Sequence, residues 1–374
     1  LRIYLFVLLI AAAVTFLFTP AARLVARRFG AMTAVRARDV HTRPTPRLGG
    51  VAMFLGIAAA ILISSRIPFL HPLFESSTRP WAILAAAGLV CLVGAADDKW
   101  DLDWTTKLAA QILAAILMVS QGVQLVTLPI GGVTLLSSRT AMVLTVLVVV
   151  VSMNAVNFVD GLDGLVAGVM AIGGTAFFVY AYLLTRSADA SDYSSLAALI
   201  TAAMIGACLG FLPHNWTQSR IFMGDSGSLT LGLLLAASTI TVTGQVEPSM
   251  LTGADFFGQF LPILLPIGVM IIPLLDFGMA VIRRVGAGKS PFHADRMHLH
   301  HRLLAIGHSK ARAVIIMYVW TLVVCVGLLL PAFVGTRATV IFWVVGLLAA
   351  ILVTVNPWGR FRGSRPSEES HAQP

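Results

Sequence analysis

The sequence predicts an all-α polytopic membrane protein with about eleven transmembrane helices. Three observations carry this. Of the 374 residues, 57% are hydrophobic and only 11% charged, against about 25% charged in soluble domains. Mean hydropathy is +0.87. Apolar runs of about 17–25 residues recur along the chain, each long enough to cross ~30 Å of hydrocarbon as a helix. The runs are continuous, whereas a membrane β-barrel would show short alternating segments.

In order, the spans fall at 1–19, 48–65, 80–96, 108–126, 140–156, 162–184, 195–212, 227–243, 259–280, 312–330 and 338–356. The chain starts at Leu1, so an initiator Met is expected to be missing or trimmed. The first run is followed by no small-x-small cleavage site and soluble region, so it reads as a span and not a signal peptide. The second run follows "RPTPRLGG", and the third ends in "ADDKWDLD". Lys107 opens the fourth. The fifth, "MVLTVLVVVVSM", leads through "NAVNFVDGLDGL" into the sixth. "NWTQSR" closes the seventh and "FMGDSGS" introduces the eighth. The ninth carries Asp276 near one end. "ADRMHLHHRLL" precedes the tenth, and the polar "RGSRPSEESHAQP" follows the eleventh. A single membrane domain over 1–356 and a disordered polar tail over 357–374 are expected. Cys91, Cys208 and Cys325 lie in apolar runs without pair spacing, which argues against disulfides or a zinc site.

The net charge is +9. In a soluble protein that would suggest nucleic acid, but here the membrane accounts for it. Segments 20–47, 97–107, 157–161, 213–226, 281–312 and 357–374 hold 20 of the 26 Lys and Arg, leaving Arg2, Arg66, Arg79, Arg139, Arg186 and Arg337 on the other side. The positive-inside rule makes the first side cytoplasmic. With an odd number of spans, the N-terminus is then outside and the C-terminus cytoplasmic. Eight of the nine His residues, all but His71, fall on the same side, as do the dense polar clusters. Five loops far apart in sequence thus converge on one face, as one site at the membrane surface would require.

The chemistry of these loops is consistent. Asp97, Asp98 and Asp101 form a D-D-x-x-D pattern; adjacent carboxylates repel unless a cation lies between them, and a hard ion such as Mg²⁺ satisfies this. Asp101 and Asp103 also suit a solvated loop that caps the span. Lys107 can snorkel or bind a phosphate lying at the surface. Asn157, Asp160 and Asp163 recur every three residues, with Gly161 and Gly164 between them, and would share one helical face. Helix capping accounts for only one of the three. Asp225 sits among small residues before a span, where a helix N-terminus attracts anions and a carboxylate can hold a metal. Asp295, Arg296, His298, His300, His301 and Arg302 lack zinc spacing and suit a pyrophosphate. Together these groups equip phosphoryl transfer between a soluble and a lipid-bound substrate. No G-x-x-x-x-G-K-[ST] sequence is present, so a P-loop ATPase is unsupported. A secondary transporter is the competing class, but its acids would sit near the bilayer midplane and not at one face.

"ADDKWDL", "NAVNFVDGLDGL", "FMGDSGSL" and "DRMHLHH", in this order and spacing, resemble the polyprenyl-phosphate N-acetylhexosamine-1-phosphate transferases over nearly the whole chain. The resemblance implies a multi-helix bacterial plasma-membrane enzyme with its site facing the cytoplasm. It implies Mg²⁺, with Mn²⁺ as a substitute, and room for a homodimer. The expected reaction moves a sugar 1-phosphate from a UDP-sugar to a polyprenyl phosphate and releases UMP. The family's paired Asp falls on Asp97 and Asp98, its metal-binding Asn and Asp on Asn157 and Asp225, and its lipid-phosphate Lys on Lys107. Its nucleotide-side Asp falls on Asp163 and its pyrophosphate loop on Arg296, His298, His300 and His301. Asp160 matches the bacterial pattern and is placed with the catalytic acids. "HLHH" and "RPTPRLGG" differ from the three-His run and "GTPTMGG" of the phospho-MurNAc-pentapeptide branch. They look more like the branch that transfers GlcNAc-1-phosphate from UDP-GlcNAc in the first membrane step of a cell-envelope polysaccharide.

Overall fold

A computed structural model describes residues 1–33, 44–129, 133–188, 195–216, 219–243, 264–265, 267–286 and 299–355. Its elements are α1 (Arg2–Phe29), α2 (Gly49–Ser64), α3 (Pro72–Glu75), α4 (Arg79–Trp100), α5 (Trp104–Ser120), β1 (Thr127–Pro129), β2 (Val133–Leu135), α6 (Ser138–Val159), α7 (Leu165–Ala188), α8 (Leu196–Asn215), α9 (Gly224–Thr243), α10 (Ile271–Gly286), α11 (Leu299–Ala305), α12 (Lys310–Leu329) and α13 (Thr336–Val355). The nearly all-helical class agrees with the sequence. Eight of the described helices have the length and apolarity to cross a membrane: α1, α4, α6, α7, α8, α9, α12 and α13. α2 and α5 fall on expected spans and are apolar but shorter, at 16 and 17 residues. The ninth expected span lies partly outside the described residues, and α10 covers it from Ile271.

Two boundaries move for physical reasons. α1 continues past Thr19 through Pro20, and Arg27 and Arg28 in its last turn suit the negative end of the helix dipole. Gly30 ends it in the left-handed region (φ 73°), returning its N–H to the Ala26 carbonyl. The fourth span stops at Ser120 and not at 126, because the chain then turns into a short antiparallel ribbon in which Thr127 pairs with Leu135. Its Val and Thr residues favour extended backbone over helix.

Side-chain caps set several helix starts. Asp103, Ser137, Ser195 and Ser309 each accept a backbone N–H from the residue three positions on. Thr105 and Thr106 also bond the Asp103 carboxylate, which holds it well below the usual carboxylate range. Asp101 ends α4 in the left-handed conformation (φ 52°) and returns its N–H to Asp97. The solvated capping role expected for Asp101 and Asp103 therefore holds.

α9 is buried along nearly its whole length and forms the centre of the bundle. The outermost surfaces, such as Val340, Ile341, Val344 and Leu348 on α13, remain exposed hydrophobics, as lipid contact requires. Packing between helices relies on small residues. A Cβ on Gly206 or on Gly210 would lie 2.2 Å from the Leu8 and Ala12 carbonyl oxygens. This four-residue glycine spacing lets α8 meet the α1 backbone directly.

Backbone hydrogen bonds tie the polar segments together at one end of the bundle. Phe222 donates to Pro46 (2.7 Å), while Gly49 and Gly50 donate to Phe222 and Met223 (2.9 and 2.8 Å). Gly164 donates to Asn215 Oδ1 at 2.7 Å. At the other end Ser195 N–H reaches Tyr4 (2.7 Å), and Thr78 reaches Gln121 (2.8 Å). At the first end Asp225 N–H also reaches Asp98 (2.9 Å), so segments 44–50, 97–107, 157–164, 215–216 and 219–225 share one end, as four of the five converging loops required; the fifth lies largely outside the described residues.

Candidate active site

The site is built on helix ends. Asp97 and Asp98 lie in the last turn of α4, Lys107 in the first turn of α5, Asn157 in the last turn of α6 and Asp225 in the first turn of α9. Lys107 Nζ bridges the carboxylates of Asp97 (3.2 Å) and Asp225 (3.4 Å). Its side chain is 28% exposed and that of Asp225 21%, whereas Asp97 retains only 6%. The ammonium is thus partly open to solvent while one of its carboxylates is buried.

The two adjacent acids divide their work. Asp98 Oδ1 accepts the Asp225 N–H (2.9 Å), and Oδ2 accepts the Ser226 N–H (3.2 Å) and hydroxyl (3.0 Å). A carboxylate satisfied in this way holds the N-terminus of α9 in place, complementing both its unpaired N–H groups and its dipole. The contact requires Gly224, which sits at φ 71° with the Asp98 oxygens where a Cβ would lie. Asp97 is different. Its Oδ2 faces Lys107, while its buried Oδ1 accepts no hydrogen bond among the described residues.

Asn157 donates its amide to Ser228 Oγ (2.9 Å), whose hydroxyl donates to the Gly224 carbonyl (3.1 Å). The same amide lies within reach of the Asp225 carboxylate. Asp160 caps α6, densely surrounded but with part of its surface open. Burial, then the neighbouring Asp225 charge, push its carboxyl up to about 7, with Arg47 opposing. Asp163 accepts the Ser219 N–H at 3.4 Å, on the side where Gly164 is clamped. Gly164 gives its N–H to Asn215 and takes the Tyr318 hydroxyl on its carbonyl. The Tyr318 ring lies 5.9 Å from that of Trp216.

The structure therefore brings together Asp97, Asp98, Lys107, Asn157 and Asp225 by direct or once-removed contact, with Asp160 in electrostatic reach and Asp163 alongside. Arg296 and His298 lie outside the described residues. His300 and His301 fall in α11, where only their backbone is described.

Sequence reasoning missed Arg47, whose charge acts on Asp98, Asp160 and Asp225. It lies in the quoted "RPTPRLGG", which could have singled it out. Ser226 and Ser228 were visible in "FMGDSGS" but carried no assigned role. Asn215 opened the polar "NWTQSR" but carried no assigned role, and Tyr318 is a lone hydroxyl in an apolar helix with no local signal.

A hard divalent cation fits this donor set. An orphaned buried carboxylate oxygen needs a partner, and it belongs to an acid that shares an ammonium with a second carboxylate. Among the described residues no group of three or more His, Cys, Asp or Glu side chains is placed to hold a metal ion, so an ion here would rest on two carboxylates and an amide. The protein would supply the Asp225 and Asp97 carboxylates and the Asn157 amide. An ion held by few protein oxygens keeps positions for phosphate, as Mg²⁺ sites do.

The chain resembles known proteins along most of its length. Residues 80–243 match glycosyl transferase family 4. The chain is 43% identical over 365 residues to the decaprenyl-phosphate N-acetylglucosaminephosphotransferase of Mycolicibacterium smegmatis, covering 96% of this chain and 90% of that one. It is 42% identical over 353 residues to the protein of the same name from Mycobacterium tuberculosis, covering 93% and 87%. It is 32% identical over 306 residues to the probable undecaprenyl-phosphate N-acetylglucosaminyl 1-phosphate transferase of Bacillus subtilis, covering 80% and 77%.

Proposed function

The chain belongs to glycosyl transferase family 4, among the polyprenyl-phosphate N-acetylhexosamine-1-phosphate transferases, and we propose that it transfers GlcNAc-1-phosphate from UDP-GlcNAc to a polyprenyl phosphate. The products are UMP and polyprenyl-pyrophosphate-GlcNAc, the first lipid-linked sugar of a cell-envelope polysaccharide. The observation that carries this reading is the Lys107 ammonium held between Asp97 and Asp225 at one end of a membrane bundle. It offers a lipid phosphate a cation at the surface and a nucleotide pyrophosphate an adjoining acid and amide set.

We place this end at the cytoplasmic face of the bacterial plasma membrane, with eleven spans, the N-terminus outside and one domain over 1–356. The bias of Lys and Arg towards the site segments supports this orientation. An apolar cavity of about 410 Å³ opens between α6, α9 and residues 267–274, lined by Leu144, Leu147, Val148, Leu235 and Ile267. It offers space for prenyl units beside the helices that carry Asn157 and Asp225.

In the reaction, Lys107 receives the lipid phosphate. A phosphate monoester is mostly dianionic at neutral pH, with a second pKa of ~6, so a strong general base is not needed. A lipid phosphate oxygen bonds to the β-phosphorus, the bridge to the α-phosphorus breaks, and UMP leaves with the bridging oxygen. Asp97 orients the nucleophile and takes any residual proton. Asp163 reads the nucleotide side, while Arg296, His298, His300 and His301 neutralise the pyrophosphate. Asn157, Asp225 and Asp97 would hold Mg²⁺, which would offset charge on the phosphates. An Asp-linked phospho-sugar is the competing mechanism. A covalent adduct trapped from protein and UDP-sugar without lipid would overturn direct attack.

The test is UMP release by the purified protein with UDP-GlcNAc, decaprenyl phosphate and Mg²⁺. One UMP per lipid consumed is expected, with loss of turnover on adding EDTA and none with UDP-MurNAc-pentapeptide. UMP from the pentapeptide substrate alone would move the chain to the peptidoglycan branch, and solute flux in vesicles without UMP would make it a transporter. A finer prediction concerns the clamp on Gly164. Tyr318→Phe removes one hydrogen bond, worth about 0.5–1.5 kcal/mol, so the KM for UDP-GlcNAc should rise about two- to tenfold with kcat held. Unchanged KM would detach the clamp from nucleotide binding.

A further inference from the structure

One polar pair, a buried glutamine and a half-buried asparagine, lies outside the machinery described so far. Gln111, on α5, is 3% exposed. Its Oε1 accepts the amide of Asn154, on α6, at 2.6 Å. The same amide donates back to the Val150 carbonyl at 2.8 Å. Both residues lie within apolar helices, where a buried amide left unpaired costs free energy. A pair retained in that setting constrains the helices that carry it.

Its position is informative. Gln111 lies four residues after Lys107, and Asn154 three residues before Asn157, so each shares a helical face with a site residue one turn away. Lys107 then reaches across to Asp97 and Asp225, and Asn157 to Ser228. α6 and α9 are fixed separately, because Ser152 Oγ donates to the Gly232 carbonyl at 2.7 Å and a Cβ on Gly232 would strike Met153 Cα at 2.6 Å. The Gln111–Asn154 bond is the corresponding direct tie between α5 and α6.

We propose that Gln111 and Asn154 are positioning residues that set the spacing of α5 and α6, and so hold the Lys107 ammonium at the distance from Asn157 and Asp225 that lipid-phosphate transfer needs. The pair touches no substrate. It acts through Lys107. The proposal rests on the transferase reading, so wild-type UMP release is measured first. No release from the wild type sinks that reading, and only an active wild type lets the variants test the pair.

Gln111→Met combined with Asn154→Leu replaces both partners with apolar groups of similar size, which leaves stability nearly unchanged. Misplacing a reacting group by ~1 Å can cost about 10²-fold, so kcat should fall about 10- to 100-fold. The KM for polyprenyl phosphate should rise and that for UDP-GlcNAc hold. Binding of a short-chain prenyl phosphate, measured without nucleotide sugar, should weaken as well. Exchanging the two amides, Gln111→Asn with Asn154→Gln, keeps an amide bond across the same helices without adding charge and should recover most of the wild-type rate. On a Lys107→Met background the double substitution should cause no further loss. Wild-type kinetics in the apolar pair would overturn the proposal. So would an exchanged amide pair as slow as the apolar pair, or a loss that persists in full on the Lys107→Met background.

Discussion

Asp225→Asn should lower UMP release by about 10³-fold or more, because it removes several kcal/mol of charge stabilisation at the point where the phosphates meet. The substitution exchanges one oxygen for an amide nitrogen and leaves the shape intact. In the native site this carboxylate accepts Lys107 at 3.4 Å and lies beside the Asn157 amide. An amide there loses the charge that attracts the ammonium and would hold a divalent ion. The fold should survive, because the Asp98 contact at the start of α9 uses the backbone N–H of residue 225 and not its side chain. Thermal unfolding should therefore stay close to wild type while turnover disappears. Raising Mg²⁺ should recover part of the rate if weaker ion binding dominates. Near-wild-type turnover would remove Asp225 from the centre of the site.

The fold was legible where free energy depends on composition. Long apolar runs leave few alternatives in a bilayer, so ten of the expected spans carry a described helix, eight of them long and apolar enough to cross, and α10 covers the described end of the ninth. Boundaries were less legible, because they depend on capping and local backbone. Nothing in the apolar run ending near 126 announced that α5 would stop at Ser120. The first span was expected to end at 19, yet the helix passes through Pro20 to Phe29. In the site, residue types at fixed spacing identified the acids, Asn157 and Lys107, because ionisable groups at a bilayer edge are expensive. What spacing could not tell was how Asp97 and Asp98 differ. Neighbours in sequence, they point to different partners, one to Lys107 and the other to the α9 N-terminus. That division depends on which helix end packs beside α4, a tertiary fact. The partners of Gly164 and the Gln111–Asn154 tie were hidden for the same reason, since each joins residues more than forty positions apart.

Gly224→Ala should be nearly as damaging as Asp225→Asn, by a different route. Residue 224 sits at φ 71°, where an L side chain costs about 1–2 kcal/mol. The larger effect comes from its neighbour. A Cβ there would lie 2.3 Å from Asp98 Oδ2 and 2.5 Å from Oδ1. Asp98 is 5% exposed, so it has little room to withdraw. Moving it releases the N–H groups of residues 225 and 226 and the Ser226 hydroxyl together. Displacing the first turn of α9 then moves the Asp225 carboxylate away from Lys107. Since ~1 Å of misplacement costs about 10²-fold, turnover should fall by about that much or more, with a lowered unfolding temperature. Gly30→Ala is the control. Gly30 has nearly the same backbone conformation, φ 73°, but no atom within 4 Å of its Cβ position. It should show the backbone cost in stability and keep wild-type turnover. Combining Gly224→Ala with Asp98→Asn should be little worse than Asp98→Asn alone, because both act on one contact. Full additivity would mean that Gly224 serves the site by some route other than Asp98.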